Sequence, residues 1–158
     1  MRQVIASVAA IALLWLAGVA AAKDFTYVND RFGTTATFPV DVFNEQMPPP
    51  ENGDGSTWLS TDGASIAIYG SNNALEQTPD SMLADARARK ETGYELTYGK
   101  AGKDWVVLSG FEAGVIFYQR LEFGADDVIH GMLIKYPPAL KAKYDPLVGS
   151  IAASLSGP

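Results

Sequence analysis

Short runs of alternating apolar and polar residues, separated by turn residues, account for most of the chain after residue 22. Two such runs, at residues 25–28 and 34–38, predict a first β-hairpin. Two more, at residues 57–61 and 64–71, flank Asp62-Gly63, and an Asp-Gly pair between strands is a strong signal for a tight hairpin turn. The first half of the chain is therefore predicted to form two hairpins.

The second half of the chain has longer runs of the same kind. It predicts four strands, at residues 94–98, 105–111, 115–123 and 128–136, with glycine in most of the connections. The last run ends against Pro137-Pro138, which cannot continue a paired strand. These four strands follow one another without an intervening helix, so the pattern predicts an antiparallel meander.

Two segments have helical periodicity and recognisable ends. For the first, at residues 79–92, Thr78 is the predicted N-cap, Pro79 the first helical residue, and Gly93 the residue that ends the helix. For the second, at residues 146–155, Asp145 is the predicted cap and Pro146 the first helical residue. One face of the second helix is apolar and consists of Leu147, Val148, Ile151, Ala152 and Leu155.

The order of strands, helix, meander and helix predicts an α+β fold. We expect a single antiparallel β-sheet of six to eight strands, flanked by the two helices and without parallel crossovers. No internal repeat or linker divides the chain, so residues 23–158 are predicted to form a single domain.

The N-terminal residues predict export. Arg2 precedes an apolar stretch at residues 4–16, and Ala20-Ala21-Ala22 provides small residues where a signal peptidase cleaves. We therefore interpret residues 1–22 as a cleaved signal peptide and expect the mature protein in the periplasm or outside the cell. An uncleaved membrane anchor is the alternative, since residues 4–22 form an apolar run long enough to cross a bilayer.

Composition limits the possible partners and attachments. The chain has no cysteine, which excludes disulfides and attachment as a lipoprotein. Its net charge is −6, or −7 without residues 1–22, and this acidity argues against binding nucleic acid or anionic lipid. No second apolar run approaches the length of a membrane span, so we expect no stable membrane insertion after cleavage.

With these elements placed, the chain resembles a PsbP-like domain, the fold of the extrinsic protein of the oxygen-evolving complex. It is most similar to exported bacterial members. The resemblance implies an α/β/α sandwich, but none of the matching residues is a catalytic signature, so it assigns no functional residue. The matching residues are Phe25-Thr26-Tyr27, Arg31-Phe32-Gly33, Phe38-Pro39, Phe43, Tyr136-Pro137 and Tyr144-Asp145-Pro146.

Residues suited to catalysis are scarce. His130 is the only histidine, and the sequence contains no Gly-x-Ser-x-Gly nucleophile motif. One interpretation places His130 near a sheet edge with an ordinary hydrogen bond. The alternative pairs it with Asp126 or Asp127 as a general base or weak metal ligand, as in a small hydrolase.

No cofactor or metal site is predicted. Gly53 and Gly55 lack the further glycine and the lysine of a phosphate-binding loop. The alternation of Asn52, Asp54 and Ser56 is similar to a calcium loop, but Gly63 stands where the closing glutamate is needed.

The long connection at residues 45–58 is the predicted binding site for a partner. A loop of this length without structure of its own is often functional, although a plain surface loop is the alternative. Tryptophans such as Trp58 and Trp105 commonly lie in a core, but Trp58 follows the loop directly and is the better surface candidate. The predicted contact residues are Glu51, Asn52, Asp54 and Trp58. The preferred function is thus a non-enzymatic binding or accessory module for an unknown protein or small molecule.

Overall fold

The computed structural model describes residues 23–158, so the predicted signal peptide at residues 1–22 lies outside the described residues. Between residues 23 and 158, no helix is both long and apolar enough to cross a membrane. The described elements are β1 (Asp24–Val28), β2 (Thr35–Pro39), β3 (Glu45–Gln46), β4 (Gly55–Leu59), β5 (Ser65–Asn72), α1 (Pro79–Ala88), β6 (Tyr94–Ala101), β7 (Trp105–Glu112), β8 (Val115–Phe123), β9 (Val128–Tyr136) and α2 (Lys141–Ser154).

Antiparallel β-structure with two helices dominates the fold, as predicted. Seven strands form one sheet in the order β3-β4-β5-β9-β8-β7-β6, with β9 at its centre. The prediction of a single sheet is wrong, because β1 and β2 form a separate two-stranded sheet. The edge of β2 that faces away from β1 does not join the seven-stranded sheet. It pairs with the segment after α2, through an isolated bridge between Thr35 and Ser156. Ser154 completes this edge by donating its hydroxyl hydrogen to the Thr37 carbonyl and accepting from the Thr37 amide.

The seven-stranded sheet has a hydrophobic cluster on each face. Side chains alternate between the two faces of a strand, so neighbouring residues of β8 such as Ile116 and Phe117 belong to different clusters. One cluster joins α1, through Leu83 and Ala86, to the β6–β8 side of the sheet. The other joins α2 and the β1–β2 hairpin to β4, β5 and β9. Each helix therefore covers only part of the face on which it packs.

Helix α1 has the predicted beginning but an earlier end. The Thr78 hydroxyl accepts from the Ser81 amide, and the Ser81 hydroxyl accepts from the Thr78 amide in return. The helix ends at Ala88, before the predicted residue 92. Gly93, with φ +85°, forms the turn into β6 and does not terminate the helix directly.

Helix α2 begins five residues before its predicted start. A 3₁₀ turn at Pro138–Leu140 leads directly into Lys141, so Pro146 lies inside the helix and Asp145 does not cap it. The Asp145 carboxylate instead accepts from the Tyr136 hydroxyl at 2.7 Å and from Lys141. The missing amide hydrogen of Pro146 costs one helical hydrogen bond, and the burial of Tyr144, Val148 and Ile151 compensates for it.

Candidate functional site

An aromatic groove lies on the part of the sheet that α2 leaves uncovered. The register places Tyr98 of β6, Ser109 of β7 and Tyr118 of β8 side by side across three strands. Phe111 lies two residues beyond Ser109 on β7, opposite Ile116 of β8. Tyr98 is 52% exposed and Phe111 is 37% exposed, which is unusual for large rings on a sheet face.

We use the name aromatic groove for a cleft of about 530 Å³ between these strands and α2. Its floor and one wall come from β6–β9, and its second wall comes from α2. Its lining residues are Thr97, Tyr98, Ser109, Gly110, Phe111, Ile116, Tyr118, Tyr136, Lys141, Asp145 and Val148.

A β-bulge in β6 brings Tyr98 into the groove. The pairing of β6 with β7 shifts between Leu96 and Tyr98, so Thr97 is an extra residue. The shift puts Glu95, Tyr98 and Lys100 on one face, and all three are exposed. Gly110 is required opposite the bulge, because a Cβ at this position would collide with the Glu95 carbonyl oxygen.

The groove is nearly neutral. Burial raises the pKa of the Tyr118 hydroxyl, and burial together with Asp145 raises the pKa of the Tyr136 hydroxyl, so both stay protonated. The charges of Lys141 and Asp145 at the rim pair with each other. The Ser109 hydroxyl is used internally, since it donates to the Phe117 carbonyl at 2.8 Å. The groove therefore offers aromatic surface and little free charge.

A polar cluster fixes α2 beside the groove. Asp62, in the tight turn between β4 and β5, accepts from Lys143 and from the Tyr144 hydroxyl, each at 2.5 Å, and from Ser60. These hydrogen bonds, of which the one from Lys143 has the largest effect, hold the pKa of Asp62 well below its usual range. Tyr144 is fully buried and stacks on Tyr136 at 5.3 Å, so the start of the helix is held firmly against the sheet.

His130 does not lie near a sheet edge, because β9 is the central strand. The side chain is 1% exposed, and its Nδ1 lies 2.8 Å from the Thr34 hydroxyl oxygen. Its Nε2 is buried and has no hydrogen-bond partner in residues 23–158. Burial lowers the pKa of the imidazole.

The structure does not bring Asp126 and Asp127 to His130. Both acids are exposed in the β8–β9 turn with φ +54° and +55°, and no hydrogen bond or salt bridge of the described residues joins either of them to the histidine. Among the same residues no group of three or more His, Cys, Asp or Glu side chains has the spacing of a metal site. The proposed acid–histidine pair is thus not assembled in this conformation.

The predicted loop site is only partly assembled. Asn52 and Asp54 do meet, at 2.6 Å between the amide nitrogen and a carboxylate oxygen. Arg31 holds both by donating to the Asn52 carbonyl at 2.7 Å and to the Asp54 carboxylate at 2.6 Å. Glu51 is exposed beside them.

Trp58 is 3% exposed, so its prediction as a surface residue is wrong. The strand β4 already begins at Gly55, and its alternation turns Trp58 inward against Tyr27, at 5.1 Å, and Phe38, at 4.8 Å between ring centroids. The connection was expected to have no structure of its own, but it contains the short strand β3, which pairs with Leu59 and Trp58.

The groove residues were not predicted as a site from the sequence. The strands that carry Tyr98, Phe111 and Tyr118 were predicted, and these aromatic residues at alternating positions were a usable signal. The alternation gave no sign of which part of the sheet α2 leaves open, because that depends on packing between distant elements.

Comparison with known proteins confirms the PsbP-like fold. No family model and no curated relative matches the chain. Among solved structures, the chain is similar to the solution structure of cyanobacterial PsbP (CyanoP) from Synechocystis sp. PCC 6803, with a TM-score of 0.60 and 11% sequence identity. The match covers 89% of this chain and 96% of that protein. At this identity the similarity establishes the fold and carries no function with it.

Proposed function

We propose that the protein is an exported, non-enzymatic binding or accessory module that holds an apolar or aromatic segment of a partner in the aromatic groove. The observation that carries the proposal is the exposure of Tyr98 and Phe111 at the mouth of a neutral cleft. Aromatic residues are enriched at interfaces because they bury a large apolar area at a small entropic cost. Export rests on the apolar N-terminal stretch and the alanines before Lys23.

A PsbP-like fold is compatible with an accessory role, although the fold by itself assigns no function. The PsbP-like fold is that of an extrinsic protein of the oxygen-evolving complex, and such a protein acts by associating with a larger assembly. The solved structure that covers 89% of the chain supports the same fold here.

The strand β6 argues for side-chain recognition and against strand addition. It is the outermost strand of the seven-stranded sheet, but it contains the bulge at Thr97 and the exposed Lys100. Bulges and lysines on an edge strand disfavour pairing with a further strand. We therefore expect the partner to insert side chains into the groove beside this edge.

The loop is a second candidate surface, because its exposed tip has a defined shape. Arg31 and the bond from Asn29 to the Gly53 carbonyl, at 2.9 Å, hold the tip against the first hairpin. Glu51, Asn52 and Asp54 would then present acceptor groups to a polar or basic partner.

An affinity-capture experiment tests the groove. The purified protein is immobilised, exposed to periplasmic extract, and the bound proteins are quantified by mass spectrometry. Truncation of two interface aromatic residues costs about 2 kcal/mol or more, so Tyr98→Ser with Phe111→Ser should reduce capture of the specific partner roughly 30-fold. Leu75→Ser is the matched control, because Leu75 is 80% exposed and lies outside the groove.

The control variant should capture the partner as the unchanged protein does, and all three proteins should show a single cooperative melting transition above the temperature of the capture experiment. Equal capture by the groove variant and the control would contradict the proposed site. Loss of capture in both would indicate nonspecific hydrophobic adsorption and would also count against it.

A further inference from the structure

The residues after α2 form a strap, residues 156–158, across one end of the sheet. Ser156 and Thr35 exchange two backbone hydrogen bonds of 2.8 and 2.9 Å, which attach the strap to β2. The Pro158 carbonyl then accepts from the Ala125 amide at 3.0 Å in the β8–β9 turn. Three backbone hydrogen bonds thus connect the strap to two different elements.

The strap seals His130 from solvent. A Cβ built on Gly157 would overlap the Cε1 and Nε2 atoms of the imidazole, so only glycine can lie this close to the ring. Gly124 also approaches the same Nε2, where a Cβ would again be too near. Two backbone segments therefore lie against the ring, and its Nε2 has no hydrogen-bond partner within residues 23–158.

This arrangement favours a neutral imidazole over an imidazolium. The neutral ring satisfies its Nδ1 through Thr34, and one unpaired nitrogen is the remaining cost. Protonation would add a second N–H donor and a positive charge to a site that water does not reach. If the strap lifted, water could solvate both.

The surroundings of His130 have opposing effects on the pKa of its imidazole. Glu122 is its cross-strand neighbour on β8 and favours the protonated ring, as does the backbone of Pro158, but the pKa is lowered because burial outweighs both. The Glu122 charge is also shared, since Arg120 pairs with it at 2.8 Å. The residues that face His130 from the β1–β2 hairpin and from β5 are Thr34 and Gly70, and neither is ionisable. Asp104 lines the adjacent cleft, and Asp126 and Asp127 are exposed in the turn.

We propose that the strap is an acid-released latch, in which protonation of His130 frees residues 156–158 and opens the cleft next to Trp105 and Arg120. That cleft has a volume of about 430 Å³, and His130, Gly157 and Pro158 all line it. The latch is independent of binding at the aromatic groove, so either proposal can fail alone.

The direction of the pH effect follows from the lowered pKa. The open form has an imidazole near its ordinary pKa of about 6.5, and the closed form has a lower one. The closed form is therefore favoured fully above about pH 6.5. Below it, the open fraction rises by up to about tenfold per pH unit until the pKa of the closed form is reached.

Amide hydrogen exchange by NMR tests the latch between pH 7.5 and 5.0, with rates corrected for intrinsic exchange. The reporter amides are those of Ala125, Thr35 and Ser156, which make the three strap hydrogen bonds. Amides paired between β8 and β9 serve as the reference for global opening. The reporters should lose at least tenfold protection on acidification, and the reference amides should not.

Two further measurements assign the effect to His130. It is the only histidine in the chain, so its ring proton signal can be titrated without ambiguity. Its midpoint should lie below about pH 6.5, within the range over which protection is lost. His130→Asn keeps a polar group near the Nδ1 position and cannot be protonated in this range, so its reporters should show no pH dependence.

Three results would overturn the proposal. They are reporter protection that does not change with pH, protection that increases on acidification because the strap pairs with the imidazolium, and the same pH dependence in His130→Asn. If that variant does not fold, the agreement between the histidine titration and reporter exchange in the unchanged protein decides the question.

Discussion

The loop at residues 45–58 and the aromatic groove differ in whether their aromatic side chains are buried or exposed. Both contain large rings near turns and bulges, yet Trp58 is buried while Tyr98 and Phe111 are exposed. Trp58 follows a loop that Arg31 and Asn29 tie down onto the β1–β2 hairpin, and that hairpin covers its ring. Among residues 23–158, no second layer covers β6 and β7 on the groove side. Exposure is therefore decided by what packs above the strand and not by the neighbouring residues.

The aromatic rings of the two regions differ in what they contribute to the folded protein. A ring that a second layer covers contributes to stability, and a ring on an uncovered sheet face contributes little to it. Such an exposed ring is retained at a cost in solubility, which is a reason to look for a partner there.

The sharpest test of this difference is the stability of two tryptophan variants. Trp58→Ala should lower the free energy of unfolding by about 3–5 kcal/mol, because it empties a site enclosed by Tyr27 and Phe38. Trp105→Ala should cost only about 1–2 kcal/mol, because its ring is half-buried and its main specific contact is Arg120 at 5.1 Å. Urea denaturation followed by circular dichroism gives both values. Equal costs would show that the first hairpin does not cover Trp58 in solution.

Much of the fold could be predicted because its strands are marked locally. The predicted bounds of β8 and β9 match the structure, since turns with glycine or with acidic residues limit both runs. The start of α2 was missed because Asp145-Pro146 has the appearance of a helix start, while Tyr136 and Lys141 engage the aspartate instead. The second sheet was missed because its edge is completed by Ser154 and Ser156, more than a hundred residues away.

The candidate sites were predicted less well than the strands. A loop rich in proline and glycine is visible in the sequence, but the hydrogen bond between Asn52 and Asp54 was not predicted. The burial of His130 and of Trp58 depends on β1, β2 and the strap folding over the sheet. Such long-range contacts leave no mark on the local pattern that strand prediction uses.

A loop variant tests which of the two surfaces binds. Replacing Glu51, Asn52 and Asp54 with serine removes the exposed polar groups of the tip, and Gly55 is kept because a side chain there would collide with the Ile68 carbonyl. Stability should fall by about 1 kcal/mol or less, since only exposed contacts are lost. Capture should change less than about twofold if the groove is the site. A loss of capture comparable with that of the groove variant would move the site to the loop.

The smallest expected effect concerns Arg31, which fastens the loop tip to the first hairpin. Its charge lies 2.6 Å from the Asp54 carboxylate, and the two side chains remain 48% and 35% exposed. Exposed ion pairs contribute about 0–1 kcal/mol and are screened by salt, so Arg31→Ala should cost about 0.5 kcal/mol at low salt and less at 1 M. A double-mutant cycle with Asp54→Ala, measured by urea denaturation at both salt concentrations, isolates the pair from the contact between Arg31 and the Phe32 ring at 4.8 Å. A coupling energy above about 1.5 kcal/mol, or one that does not respond to salt, would contradict this prediction. It would mean that the Arg31–Asp54 pair stabilises the loop tip as strongly as a buried contact does.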